Sequence, residues 1–211
     1  MLDKESLIES YLKFYDEKDR FPEDATEFAT YLGLEEVDFL KSFNPLSSLE
    51  AFIWADYFET ALQRSQEDAN FDQYSSREIY LSLLYNVIGV LNENPARNRA
   101  MISFTKSLPS SPKQLSRLKT AADAFFKEMI AAGAASGEIA SRTLVNYQYS
   151  KWCWYGLLFI IFFWKKDDSE QSEQTDVAIE KVAHLIFDLL NPNAIDSSLQ
   201  FFTFLFKQGF K

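Results

Sequence analysis

The chain has 211 residues, 47% hydrophobic and 16% aromatic, with one cysteine, one histidine and a formal net charge of -10. This is enough for one sizeable core; a lone cysteine excludes an internal disulfide framework, and one Cys with one His leaves no Cys/His set for zinc. Residues 1–60 hold fifteen acids against five bases while the remainder holds sixteen of each, so the front of the chain repels phosphate unless its few bases are concentrated.

No basic region followed by an apolar run follows Met1, so the expectation is a soluble, cytoplasmic protein. Over residues 3–17, Leu7, Ile8, Tyr11, Leu12, Phe14 and Tyr15 recur at intervals of three and four and predict an amphipathic helix of about four turns. Pro22 suits the first turn of a second helix that turns Phe28, Ala29 and Leu32 inward, and Gly33 stops it by taking a left-handed cap conformation. Leu34, Val37, Phe39, Leu40 and Phe43 predict a short third helix. Three short helices around a tight glycine turn have the layout of a helix-turn-helix module.

Asn44-Pro45 breaks the pattern, and Ser47 or Ser48 is the expected cap of a helix from about 49 to 65. Residues 63–76 are polar and read as a linker or long loop. Helices are expected again over 77–92, 96–106 and 112–132. Between Glu93 and Asp123 stand six bases, Arg97, Arg99, Lys106, Lys113, Arg117 and Lys119, and no acid. They read first as solvated helix ends and second as a complement to the acidic module or to a carboxylate-bearing partner. The alanine-rich stretch 121–140 favours helix, with Gly133 and Gly137 marking its end.

Residues 138–166 are expected to form the central helix. Between Lys151 and Lys165 lie thirteen uncharged residues, which at 1.5 Å each span about 20 Å, too short for a bilayer. The stretch is apolar all round and needs cover on more than one side, and Cys153 within it reads as a small buried hydrophobe. Asp167-Asp168 should stop this helix near Trp164; two more follow, from Thr175 or Asp176 to Leu190 and over 194–208. No strand pattern competes, so the expected fold is all-α.

No phosphate-binding loop, dinucleotide glycine motif or nucleophile elbow is present; no catalytic residue, metal or cofactor is assigned, and the chain does not read as an enzyme. His184, beside Leu185 and Ile186, reads as a core or interface histidine. The aromatic surplus exceeds what a monomer readily hides, which points to a homodimer, a small apolar or lipid-like ligand, or both. Tyr147, Trp154, Tyr155 and Phe159 are the expected walls of a ligand pocket.

Residues 26–49 carry a resemblance. Phe28-Ala29, Leu32-Gly33-Leu34, Phe43 and Leu49 stand where TetR-type transcriptional regulators have the landmarks of their helix-turn-helix. The later half, from Gly137 to Leu190, resembles C-terminal domains of such regulators and the lipid-binding fold of ubiquinone-biosynthesis accessory proteins. The resemblance implies a helix-turn-helix module at 1–48 and a helical ligand-binding and dimerisation domain at 49–211. It implies DNA as a partner, with Glu35, Glu36, Val37, Asp38, Phe39, Lys41 and Ser42 on the DNA-facing helix. Of these only Lys41 and Ser42 are evident donors to phosphate, and Glu35, Glu36 and Asp38 oppose it. It also implies a dimer made by the last two helices, with His184, Leu185, Phe202, Leu205 and Phe206 at the interface. The alternative is a ligand-binding or protein-interaction protein of the same fold that no longer reads DNA.

Overall fold

The computed structural model describes residues 4–40, 46–102, 113–141 and 146–191. Among them all regular structure is helical: α1 (Lys4–Lys18), α2 (Ala25–Leu32), α3 (Glu36–Leu40), α4 (Leu46–Gln66), α5 (Ser76–Asn92), α6 (Pro95–Met101), α7 (Ser116–Ser136), α8 (Asn146–Lys166) and α9 (Glu173–Leu190). They belong to two compact units, one of residues 1–63 with 87–121 and one of residues 64–86 with 122–211.

The first unit is organised around Phe28, which is fully buried. Its ring meets Tyr11, Phe14 and Phe39 edge-on at centroid distances of 5.3, 6.4 and 5.4 Å, so one side chain of α2 joins α1 and α3. Such edge-to-face pairs add to area burial because the ring edge is positive and the face negative. Leu7, Tyr11, Phe14 and Tyr15 of α1 are all buried, as their helical spacing predicts. From α4, Leu49, Ile53, Trp54, Phe58 and Ala61 complete this core. Its buried Asn98 is matched on both sides, accepting from the Tyr57 hydroxyl (3.0 Å) and donating to the Leu91 carbonyl (2.9 Å), whereas the Trp54 indole N–H is buried with no acceptor among the described residues. Arg97 reaches Asp16 at 3.3 Å.

The second unit packs α8 chiefly against α9, with α5 and α7 completing its core. Tyr80 of α5 donates its buried hydroxyl to the Cys153 carbonyl at 2.8 Å. A Cβ at Gly156 would strike that hydroxyl and, at 2.6 Å, Cδ1 of Ile186, so glycine is what lets α5 and α9 close on α8. Cys153 is fully buried, and burial pushes its thiol up to about 12.

Several element ends differ from expectation. Pro22 precedes α2, whose cap is Asp24, accepting the Glu27 N–H at 2.8 Å. α4 begins at Leu46, leaving Ser47 and Ser48 inside it, and it runs to Gln66. The expected linker at 63–76 is therefore shortened by α4 and by a 3-10 turn at Phe71–Gln73. Gly133 lies inside α7, where Ser76 and Ile139 leave no room for a Cβ; Gly137, at φ 85°, follows the helix end. The central helix is α8, beginning at Asn146 rather than 138. Ile139 and Ala140 instead bond to the Gly133 and Leu190 carbonyls, outside any helix.

α8 also outlasts Trp164 by two residues because Asp167 serves the next helix, not its own. Its carboxylate accepts from the backbone and hydroxyl of Ser169 and from the backbone (2.8 Å) and hydroxyl (2.6 Å) of Thr175 in α9. Burial pushes this carboxyl up, but the hydrogen bonds from Ser169 and Thr175 prevail and hold it at about 2. They secure a turn with Gln171 and Ser172 both at positive φ, conformations that non-glycine residues rarely adopt.

Candidate functional site

The tight turn of the front module is built by Gly33, in the left-handed region at φ 68°. The Leu34 N–H bonds to the Ala29 carbonyl (2.9 Å) and the Gly33 N–H to the Thr30 carbonyl (3.1 Å), closing α2 with both bonds of a Schellman cap. α3 then starts within three residues. Phe39 anchors it in the core, while Glu35, Glu36 and Val37 stay exposed, Val37 at 67%. The side chain of Asp38, and Lys41 and Ser42 entirely, lie outside the described residues.

The presented surface is acidic. From Phe21 to Leu40 the sequence holds six carboxylates and no base. Among the described residues only Glu27 has a basic partner in hand, Arg20 of the preceding turn; Arg20's hydrogen bonds, with that from the Glu23 N–H, bring the Glu27 carboxyl down to about 2. Glu36 accepts from the Thr26 hydroxyl at 2.8 Å, a bond that fixes α3 on α2 but leaves the charge in place.

In the second unit the three expected pocket residues whose side chains are described do not share a face. Trp154 is buried inside the unit, whereas Tyr155 and Phe159, one turn apart on α8, point outward at 53% and 46% exposure. The Tyr147 side chain lies outside the described residues. Both His184 and Leu185 sit on an exposed stripe of α9 that also carries Val177, and His184 Nε2 lies 3.2 Å from Asp188. Phe202, Leu205 and Phe206 lie outside the described residues. Tyr149, also buried, has a hydroxyl without a hydrogen-bond partner among the described residues.

A groove that sequence reasoning did not anticipate opens within the first unit, between α4 and the start of α7. It measures about 350 Å³ and is lined by Phe52, Ala55, Asp56 and Glu59 from one face of α4 and by Arg117, Thr120 and Ala121 from α7. The Arg117 guanidinium carbon stands 3.6 Å from the centroid of the Phe52 ring. The only sequence signal was the run of bases that contains Arg117, which lies 65 positions from Phe52.

Among the described residues no group of three His, Cys, Asp or Glu side chains is placed to hold a metal, and no helix is long and apolar enough to cross a membrane. Residues 80–205, more than half of the chain, match the family described as tetracyclin repressor-like, C-terminal domain. No curated protein matches the sequence. Among solved structures, a protein assigned to the tetR family of transcription regulators from Shewanella sp. PV-4 is similar at TM-score 0.59 and 14% identity, over 90% of this chain and 99% of that one. The TetR transcriptional regulator from Nitrosomonas europaea ATCC 19718 is similar at 0.52 and 14%, over 87% and 97%. A protein of unknown function from Rhodococcus sp. RHA1 is similar at 0.56 and 12%, over 89% and 95%. At these identities the likeness is one of fold: an N-terminal helical module followed by a C-terminal helical domain.

Proposed function

Because the chain belongs to the tetracyclin repressor-like C-terminal domain family, we propose that it is a dimeric, cytoplasmic transcriptional regulator answering to a small apolar or amphipathic effector. The observation that carries the reading is the front module: a helix closed by the Gly33 turn, then a short helix anchored by Phe39 with its outer residues free to meet a groove. Effector binding works by population shift, favouring dimers whose paired modules fit or miss the operator. The exposed aromatic and aliphatic side chains of α8 and α9, with His184 and Leu185, support a two-fold interface there. The apolar character of the effector is argued from the aromatic content and from the resemblance of residues 137–190 to the lipid-binding fold of ubiquinone-biosynthesis accessory proteins.

The acidic third helix favours a second reading, a binding protein of the same fold whose module docks something other than DNA. Glu35 and Glu36 meet phosphate unfavourably, and any affinity supplied by Lys41 must overcome them. Fluorescence-polarisation titration against genomic fragments at low and physiological salt separates the two readings. Sequence-selective binding below micromolar protein supports the regulator; no binding above background even at low salt removes it. For the interface, Phe159→Glu with Leu185→Glu is expected to halve the solution mass while leaving the helical content intact. A wild-type chain that stays monomeric at every concentration defeats the dimer.

A further inference from the structure

Inside the first unit, the joint between α1 and the first turns of α4 encloses an acid with little to offset it. Glu50 stands between Leu49 and Ala51, both buried, and its own side chain is half-buried. Its carboxyl accepts from the Tyr11 hydroxyl at 2.7 Å. Tyr11 is 1% exposed; its ring stacks on Phe21 at 4.9 Å and meets Phe28 edge-on. The residue that grips Glu50 therefore also belongs to the core of the front module. On α4 itself the positions one turn away, Leu46, Ser47, Ile53 and Trp54, are uncharged. From α1, Tyr11 is the titratable group that faces the carboxyl, and one turn to either side of it stand Leu7, Ile8, Phe14 and Tyr15, all uncharged. Among the described residues no other element brings a charged group to bear on Glu50. Desolvation outweighs the hydrogen bond, so the carboxyl gives up its proton less readily than an ordinary glutamate does. Burial and the adjacent carboxylate raise the Tyr11 phenol in turn, so it stays a donor in either state of Glu50.

We propose that the Tyr11–Glu50 contact is a proton-sensitive joint: with Glu50 protonated α1 stays seated on α4, and loss of that proton loosens α1 from α4. An ionised carboxylate withdrawn from water and held by one hydroxyl regains its hydration when α1 lifts away. A neutral carboxyl gains little by exposure, and in place it still accepts from a hydroxyl that would otherwise be buried unpaired. The direction follows from the raised value in the folded chain. Seating is complete below the ordinary 4.5, weakens as pH rises through the raised value, and levels off above it. The device concerns the joint alone and stands without the regulator reading.

The test is amide hydrogen exchange of the full-length protein at about pH 4.5 and about pH 7.5, read as protection factors corrected for intrinsic exchange. A carbon-13 NMR titration of the Glu50 carboxyl accompanies it. The helix α8, which carries no acid, is the internal reference. A carboxyl midpoint above 4.5 is expected, with a severalfold loss of protection over α1 at the higher pH and none over α8. Glu50→Gln keeps an acceptor for Tyr11 and cannot ionise, so α1 should be protected equally at both pH values. Tyr11→Phe removes the hydroxyl that steadies the charged form; the Glu50 midpoint should climb, and the loss of protection should be greater at the higher pH. A hydroxyl with a merely structural role would cost the same at both. Far-UV circular dichroism confirms that each variant is folded, and Glu50→Gln carries the test if Tyr11→Phe is not. A midpoint at or below 4.5, equal protection of wild-type α1 at both pH values, or a pH difference that survives in Glu50→Gln overturns the proposal. Operator binding is no part of the readout, so the joint can fail while the regulator assignment stands.

Discussion

Two carboxylates, the half-buried Glu50 in the first unit and the buried Asp167 in the second, meet opposite fates. Glu50 of α4 accepts a hydrogen bond from the Tyr11 hydroxyl, and among the described residues no cation pairs with it; desolvation outweighs that bond and pushes its carboxyl above the ordinary value of 4.5. Asp167, after α8, collects hydrogen bonds from the backbone and hydroxyls of both Ser169 and Thr175, and these carry it down to about 2 despite burial. The balance between desolvation and the hydrogen bonds each carboxylate accepts decides the sign. The rest of each unit follows suit. The first holds its helices with aromatic edges and scattered polar links around an acidic exterior, and the second with close apolar contact around Gly156 and one saturated polar turn.

That contrast can be broken from either side. The largest effect is expected from Phe28→Ala, which removes the ring joining α1, α2 and α3 and costs about 3–5 kcal/mol in urea denaturation. Hydrogen exchange should show the loss over α1–α3. Asp167→Ala leaves the buried Thr175 hydroxyl and N–H without their acceptor, for a cost of about 1.5–3 kcal/mol. Its pH signature is specific. A carboxyl held below its ordinary 3.8 contributes stability that is complete above that value and lost as pH falls toward 2, so wild type and variant converge there. Gly156→Ala sets an overpacking cost of about 1–3 kcal/mol against about 1 kcal/mol of helix propensity, a net loss of about 1 kcal/mol. The smallest change carries the opposite sign. Glu50→Gln keeps an acceptor for Tyr11 but cannot ionise, and should raise stability at neutral pH by under about 1 kcal/mol. Because the folded chain holds the Glu50 proton more tightly than the unfolded one, wild-type stability declines as pH rises through the raised value, and that slope should flatten in the variant. A steeper slope in Glu50→Gln would show that another group titrates there.

Local rules made the front module legible. Phe28 sits at the helical spacing of a core residue, and Gly33 takes the left-handed cap its position demands. The errors came where the chain returns to itself. Asp167 looked unfavourable at the end of α8 because its partners Ser169 and Thr175 belong to the turn and helix that follow. Ile139 and Ala140 fit a helical pattern but bond elsewhere, Ala140 to Leu190, fifty residues away. Composition placed aromatics on α8 without fixing its rotation, so Trp154 and its neighbour Tyr155 could not be told apart, although one is interior and the other faces out. The groove at Phe52 depends on a contact with Arg117 that no local pattern encodes.

The thiol of Cys153, sealed in α8 and held protonated, offers a stopwatch. A maleimide attacks only an accessible thiolate, so labelling in the dark interior proceeds no faster than the aromatic helix comes away from its neighbours. Since the chain contains no other cysteine, a single mass increment would time that event alone, whatever the leading helices are doing.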